Sequence, residues 1–179
     1  MLSEPRFDAI IVGGSYAGLA AALSLGRSRR RVLVLDAGLP CNRQTPHAHN
    51  FLTRDGEPPN QLRALAREQF GAYPTVQLLA ATATQAEAEP GGFRVGTAEG
   101  GSYAARKLVL ATGLHDELPA LPGFAECWGI SVLHCPYCHG YEVRHQPLAV
   151  LSGRESGFEF ARLIHHWSPD LRLLTNGPS

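Results

Sequence analysis

Continuous apolar runs alternate with helical and polar stretches along this chain. Ala9-Ile10-Ile11-Val12 is apolar at every position and stops at Gly13, the pattern of a short strand buried on both faces. From Ala17 to Leu25 small residues and leucines recur at helical spacing. Arg31-Val32-Leu33-Val34-Leu35-Asp36 is a second strand ending in an acid. Strand, glycine turn, helix and strand make a βαβ unit with a right-handed crossover.

Residues 39–59 are polar and rich in Pro, His and Asn, predicting an extended loop, and loops this long inside a domain are usually functional. Residues 60–70 predict an amphipathic helix, with Leu62, Leu65 and Phe70 near one face and Arg63, Arg67 and Glu68 elsewhere. Strands are predicted at 75–79, 83–89, 93–97 and 103–110, the last three separated by Pro90-Gly91-Gly92 and Gly100-Gly101. Short strands split by glycine turns predict a small antiparallel meander. The last strand runs into Ala111-Thr112-Gly113.

Pro119 and Pro122-Gly123 mark a boundary, which divides the chain into residues 1–116 and 117–179. Residues 147–151 begin another strand, 157–167 read as a helix and 171–174 as a further strand. A second βαβ unit therefore starts near residue 147. The predicted fold class is α/β: a Rossmann-like nucleotide-binding domain with a meander, plus the start of a second such domain.

Bulk properties narrow the function. At 179 residues the chain buries one good core, or one core and a small second unit. Sixteen basic residues balance sixteen acidic ones, so no net field favours nucleic acid or an anionic membrane. The one basic cluster, Arg27 to Arg31, suits a helix C-terminus. The polar start and the short run after it do not make a signal peptide or a membrane span. Four cysteines do not make a disulfide scaffold, so a cytoplasmic location is expected.

Two motifs carry chemistry. In Gly13-Gly14-Ser15-Tyr16-Ala17-Gly18, Gly13 and Gly18 hold the first and third positions of a dinucleotide fingerprint. The first allows the tight turn, the third lets helix and strand pack closely, and phosphates sit on the helix N-terminus. Ser15 holds the second position, with Gly14 beside it. Asp36 falls about 20 residues on, where a ribose-binding acid belongs.

Cys135-Pro136-Tyr137-Cys138 has three readings: a redox dithiol, half a zinc site, or structural thiols. Zinc wants four ligands in a tetrahedron, and His134, Cys135, Cys138 and His139 are nearly contiguous, so no metal is assigned. A redox role needs two thiols, a lowered thiolate pKa and a proton donor, and His134 or His139 can supply the last two. Cys41 and Cys127 read as plain thiols. His47 and His49 in the long loop, and His165 and His166 on the late helix, read as surface or packing residues.

With these motifs in this order, the chain resembles the low-molecular-weight thioredoxin reductases. The resemblance rests on Ile11 to Gly18, the Asn50-Phe51 loop, Leu110-Ala111-Thr112-Gly113, and the Cys135/Cys138 pair followed by a second βαβ unit. It implies FAD as cofactor, held by Gly13, Gly14, Ser15, Tyr16, Ala17, Gly18, Asp36, Asn50, Thr112 and Gly113. It implies Cys135 as the partner-side thiol, Cys138 as the flavin-side thiol and His139 as the acid-base group. It further implies a thiol or disulfide substrate, either a small molecule or a thioredoxin-like protein, and a homodimer.

The chain departs from that family in three places. In Ser152-Gly153-Arg154-Glu155-Ser156-Gly157, Arg154 replaces the glycine that lets a pyrophosphate approach, and Glu155 adds negative charge. Leu173 to Gly177 lacks the basic pair that reads a 2′-phosphate. Both argue against NADPH. The family's C-terminal half is missing, so the chain is expected to be truncated. Cys135-Pro136-Tyr137-Cys138-His139-Gly140-Tyr141-Glu142 most resembles the dithiol-oxidase subgroup, which passes electrons from a dithiol to FAD and then to oxygen. A non-catalytic flavin-binding redox sensor is the alternative.

Overall fold

The computed structural model describes residues 6–152, 155–175 and 177. The chain divides into two compact units: residues 1–44 with 58–118, and residues 45–57 with 119–179.

The first unit is built on a six-stranded sheet. Its strands are β1 (Phe7–Val12), β2 (Val32–Asp36), β3 (Val76–Ala80), β4 (Ala83–Glu89), β5 (Gly92–Thr97) and β6 (Ser102–Leu110), in the order β3-β2-β1-β6-β5-β4. β1 pairs in parallel with β2 and with β6, and β2 with β3. The antiparallel pairs β4–β5 and β5–β6 form the meander. The meander is no separate layer, because β6 belongs to both halves. A shift in register between Ala83 and Gln85 interrupts the β4–β5 pairing.

The continuous apolar runs are the buried centre, as their pattern requires. Ile10, Ile11, Val32 and Val34 have no exposed surface. Each such side chain contributes about 1.5–3 kcal/mol by leaving water. Helix α1 (Tyr16–Arg27) buries Gly18, Leu19, Ala22 and Gly26. Gly18, Ala22 and Gly26 recur every fourth residue, so a stripe of small residues brings the helix axis close to the sheet. A Cβ on Gly26 would lie 2.7 Å from Val76 Cγ2.

The basic cluster after α1 has local partners. Arg27 donates to the Tyr73 hydroxyl at 2.9 Å, the Arg31 backbone amide donates to Asp8 at 2.9 Å, and the Arg31 guanidinium lies over the Phe7 ring. Helix α2 (Pro59–Phe70) starts with proline at its first position, where a missing N–H costs nothing. It buries Leu62 and Phe70.

The second unit holds short helices α3 (Phe124–Cys127) and α4 (Pro136–His139), strands β7 (Leu148–Leu151) and β8 (Leu171–Leu174), and helix α5 (Glu155–Ile164). β7 and β8 pair in parallel, as expected of a second βαβ unit. The late helix ends at Ile164 rather than Trp167, because the chain turns there: the Trp167 amide donates back to Ile164 at 2.9 Å. That turn puts the Trp167 indole against Gly140, where a Cβ would lie 2.9 Å from Nε1. Fully buried Ser168 donates its hydroxyl to the Gln146 carbonyl at 2.6 Å.

Residues 45–57 pack with the second unit. Ala48 and Glu57 form an antiparallel bridge that closes the loop on itself, and His49 faces Glu142 across 3.6 Å. Among the described residues no helix is long and apolar enough to cross a membrane.

Replacing Ile11 by alanine should cost about 2–5 kcal/mol of stability, because the site lies between sheet and helix and collapses poorly. Leu52→Ala, at a position 90% exposed, should change stability by no more than about 0.5 kcal/mol. Urea unfolding followed by circular dichroism checks both.

Candidate functional site

Two constellations stand out, one in each unit. The first lies at the carboxyl ends of β1 and β6. The strand order reverses between them: β2 and β3 lie on one side of β1, β6 on the other. Open parallel sheets bind ligands in the crevice at such a switch point. Here the Gly13 amide donates to Leu35 and the Ala111 amide donates to Val12, both at 2.8 Å. These bonds draw the glycine turn and the Ala111-Thr112-Gly113 segment together. Thr112 and Gly113 are exposed beside the turn, and Gly113 has φ +75°.

The turn has no room for side chains. Gly13 sits at φ +111°, and a Cβ there would strike the Ala111 carbonyl. A Cβ on Gly18 would strike the Gly13 carbonyl, and one on Gly14 would lie 2.5 Å from the Asp36 side chain. Ser15 caps α1 with an extended backbone, and its hydroxyl makes no capping bond. The first turn of α1 carries no acidic residue, so the positive end of the helix dipole is left for an anion. Tyr16 and Ala17 lie on the exposed side of that first turn, with the Asn42 amide 3.5 Å from the Tyr16 hydroxyl.

Asp36 ends β2 beside the turn. One carboxylate oxygen accepts the Gly38 amide at 2.9 Å, and the other pairs with the Arg67 guanidinium. Sequence reasoning missed Arg67. It placed the residue off the apolar face of α2 but could not say what that face meets. Arg67 also has a buried Nε with no hydrogen-bond partner, beside the predicted ribose acid. Asn50, by contrast, lies in the other unit, at φ +60° with its amide donating to Asp55 at 2.7 Å.

The second constellation is the dithiol. Cys135 caps α4 and Cys138 lies within it. The two are joined as a disulfide with Cα atoms 5.3 Å apart, so both thiols a zinc site would need are engaged with each other. Pro136 starts the helix, and Gly140 follows it with its Cα against Trp167. Tyr137 meets the Trp167 ring edge-on at 5.7 Å. His134 stacks on Trp128 at 5.3 Å, and Trp128 in turn on Phe124. Trp167 is a supporting residue that no sequence motif marked, and Gly140, marked only as part of the motif, is where it packs.

His139 is half-buried at the end of α4. Burial holds its pKa below the ordinary imidazole value; neighbouring His134 and His49 push the same way, and Glu142 opposes them. The ring is therefore held neutral, ready to accept a proton. Cys41 is an exposed free thiol and Cys127 a half-buried one.

The pyridine nucleotide-disulphide oxidoreductase family model matches residues 7–176. The chain belongs to that family. It is 43% identical to the probable thioredoxin reductase of Arthroderma benhamiae, over 97% of this chain and 45% of that protein. It is 39% identical to thioredoxin reductase aclD of Aspergillus oryzae, over 98% of this chain and 59% of that one. Among solved structures, an oxidoreductase from Agrobacterium tumefaciens superposes with TM-score 0.92 at 42% identity, covering 98% of this chain and 60% of that one. A putative thioredoxin reductase TrxB from Bacillus anthracis gives 0.93 at 34%, covering 97% and 59%. The chain thus spans about half the length of the curated relatives it matches.

The chain falls in the thioredoxin-reductase-like group of this family, whose members are flavoproteins carrying FAD. The residues present fit that cofactor: the glycine turn, too tight for side chains, leads into the N-terminus of α1, whose first turn carries no acidic residue, and helix N-termini hold phosphates.

Gly18→Val should lower FAD affinity at least about tenfold, the equivalent of 1.4 kcal/mol, read from quenching of flavin fluorescence. A second expectation concerns pH. The folded His139 pKa lies below its unfolded value, so its contribution is fully present above about pH 6.5 and is lost as pH falls through the folded value. Thermal melts should show stability declining over that window in the wild type and less steeply in His139→Gln.

Proposed function

We propose that this chain carries out FAD-dependent thiol–disulfide exchange of the thioredoxin reductase kind, through Cys135 and Cys138. The observation that carries this reading is a closed Cys135–Cys138 pair on a short helix that ends in a neutral-held histidine. In the same proposal, residues 1–116 contribute most of the FAD-binding domain, and 117–179 an NAD(P)-domain-like unit bearing the dithiol.

FAD, when bound, supplies a two-electron donor or acceptor for the pair. In the reducing direction the Cys135 thiolate attacks a substrate disulfide, forming a mixed disulfide and releasing one substrate thiolate. The Cys138 thiolate then attacks Cys135 Sγ. The second substrate thiolate leaves, and the Cys135–Cys138 disulfide forms. Two electrons reach the substrate. In the oxidising direction a substrate dithiol opens the pair by the reverse steps. His139 takes the proton from the attacking thiol. The substrate is a small dithiol or disulfide, or a thioredoxin-like protein, in a reducing compartment such as the cytoplasm.

The sequence Cys135-Pro136-Tyr137-Cys138-His139-Gly140-Tyr141-Glu142 favours the oxidising direction, with the half-buried His139 at the end of the dithiol helix as the base that activates an incoming thiol. Arg154 and the Glu155 side chain, which weigh against NADPH in the sequence, lie outside the described residues. In that direction oxygen is the final acceptor and NADPH is not required.

An anaerobic titration watched through the flavin absorbance tests the reading. Bleaching by dithiothreitol but not by NADPH is the expected outcome and supports dithiol oxidation. Bleaching by NADPH would favour reduction instead. Cys138→Ser should abolish turnover while the protein still takes up FAD; turnover absent from both proteins would leave a redox-sensing module.

A further inference from the structure

Asp36 ends β2 with its side chain only 11% exposed, and both of its oxygens are held. Oδ1 accepts the Gly38 amide at 2.9 Å. Oδ2 accepts an N–H from the Arg67 guanidinium, 31 residues on in α2. That contact lies at the glycine turn, because a Cβ on Gly14 would sit 2.7 Å from the same Oδ2. Arg67 therefore fixes the oxygen that lies against the fingerprint. A carboxylate offers about four acceptor positions, so both oxygens keep capacity for a further donor.

α2 delivers Arg67 from a fixed place. Leu62 and Phe70 bury the helix before and after it. Just past the helix, the Tyr73 hydroxyl accepts the Arg27 N–H at 2.9 Å, which ties this segment to the end of α1. Stability alone does not account for the pair, since a partly exposed ion pair adds little. Arg67 also keeps its buried Nε–H without a partner among the described residues, whereas the buried donors of a purely structural side chain are normally paired.

We propose that Arg67 is a positioning residue of the cofactor site, holding the Asp36 carboxylate where it accepts the adenosine ribose hydroxyls of FAD. The proposal rests on the reading of Asp36 as the ribose acid. Arg67 acts through Asp36, and its effect is selectivity. A site built to bond a hydroxyl rejects the analogue that lacks it. Without Arg67 the carboxylate is held through Oδ1 alone and turns away from Gly14, so that rejection weakens.

The test compares FAD with its 2′-deoxyadenosine analogue on the full chain freed of flavin, read from quenching of flavin fluorescence. The wild type should bind FAD about tenfold more tightly than the analogue, the worth of one hydrogen bond to a charged group. Asp36→Ala should bring the two affinities within about twofold, and Arg67→Gln should cut the preference to about threefold or less. In the Asp36→Ala background Arg67→Gln should leave the ratio unchanged, because the two residues act as one unit. Looser helix packing would lower both affinities together and would not move their ratio.

A preference that survives in Arg67→Gln but vanishes in Asp36→Ala overturns the proposal and leaves Asp36 as the ribose acid. A wild type that binds both ligands equally overturns that reading of Asp36, and the proposal with it. If Arg67→Gln fails to fold, Arg67→Met, which keeps the packed stem and removes the donors, is judged by the same ratio. The dithiol chemistry is judged separately, by Cys138→Ser.

Discussion

The first unit depends on one close approach: the backbone of β1 leaving the sheet through Gly13 and returning as α1 at Gly18. The Gly18 Cα lies against the Gly13 carbonyl, and Gly13 lies against the Ala111 carbonyl at the end of β6. Three pieces of main chain meet with no side chain between them. This contact sets the helix on the sheet, opens the switch-point crevice, and leaves a helix N-terminus facing it. Packing and ligand chemistry impose the same demand here, so the glycines serve both.

The second unit solves a comparable problem with an aromatic ring. Gly140 lets the Trp167 indole close on the turn after the dithiol, and the buried Ser168 hydroxyl ties the neighbouring chain to Gln146. The dithiol helix is only four residues long and gains little from its own hydrogen bonds. Its position comes from what packs around it: Trp167 on one side, and the Phe124–Trp128–His134 stack leading into it.

The strongest sequence signals were those that depend on local pattern. The all-apolar runs around Ile11 and Val34 could only be buried strands, and Gly13, Gly18 and Asp36 are spaced by the geometry of a single βα turn. What was illegible depends on distant partners. Arg67 reads as a solvent-facing charge on an amphipathic helix until α2 is seen beside Asp36. The four-residue helices have no period to detect. The loop at 45–57 belongs by sequence to its neighbours, but its folded place is with Glu142, through His49. His49 was read as a surface or packing residue because nothing adjacent to it in the chain hints at a carboxylate.

The meander also has a consequence at the margin of the sheet. β4 is an outer strand, open to solvent for most of its length, with Glu87 and Glu89 on it and an irregular register near Ala83. An outer strand offers unpaired amides and carbonyls to any extended peptide that drifts past. Charge and a break in pleating make that template a poor one. The irregularity in β4 therefore guards against strand-on-strand aggregation, letting a six-stranded sheet end in water without recruiting a seventh strand from another molecule.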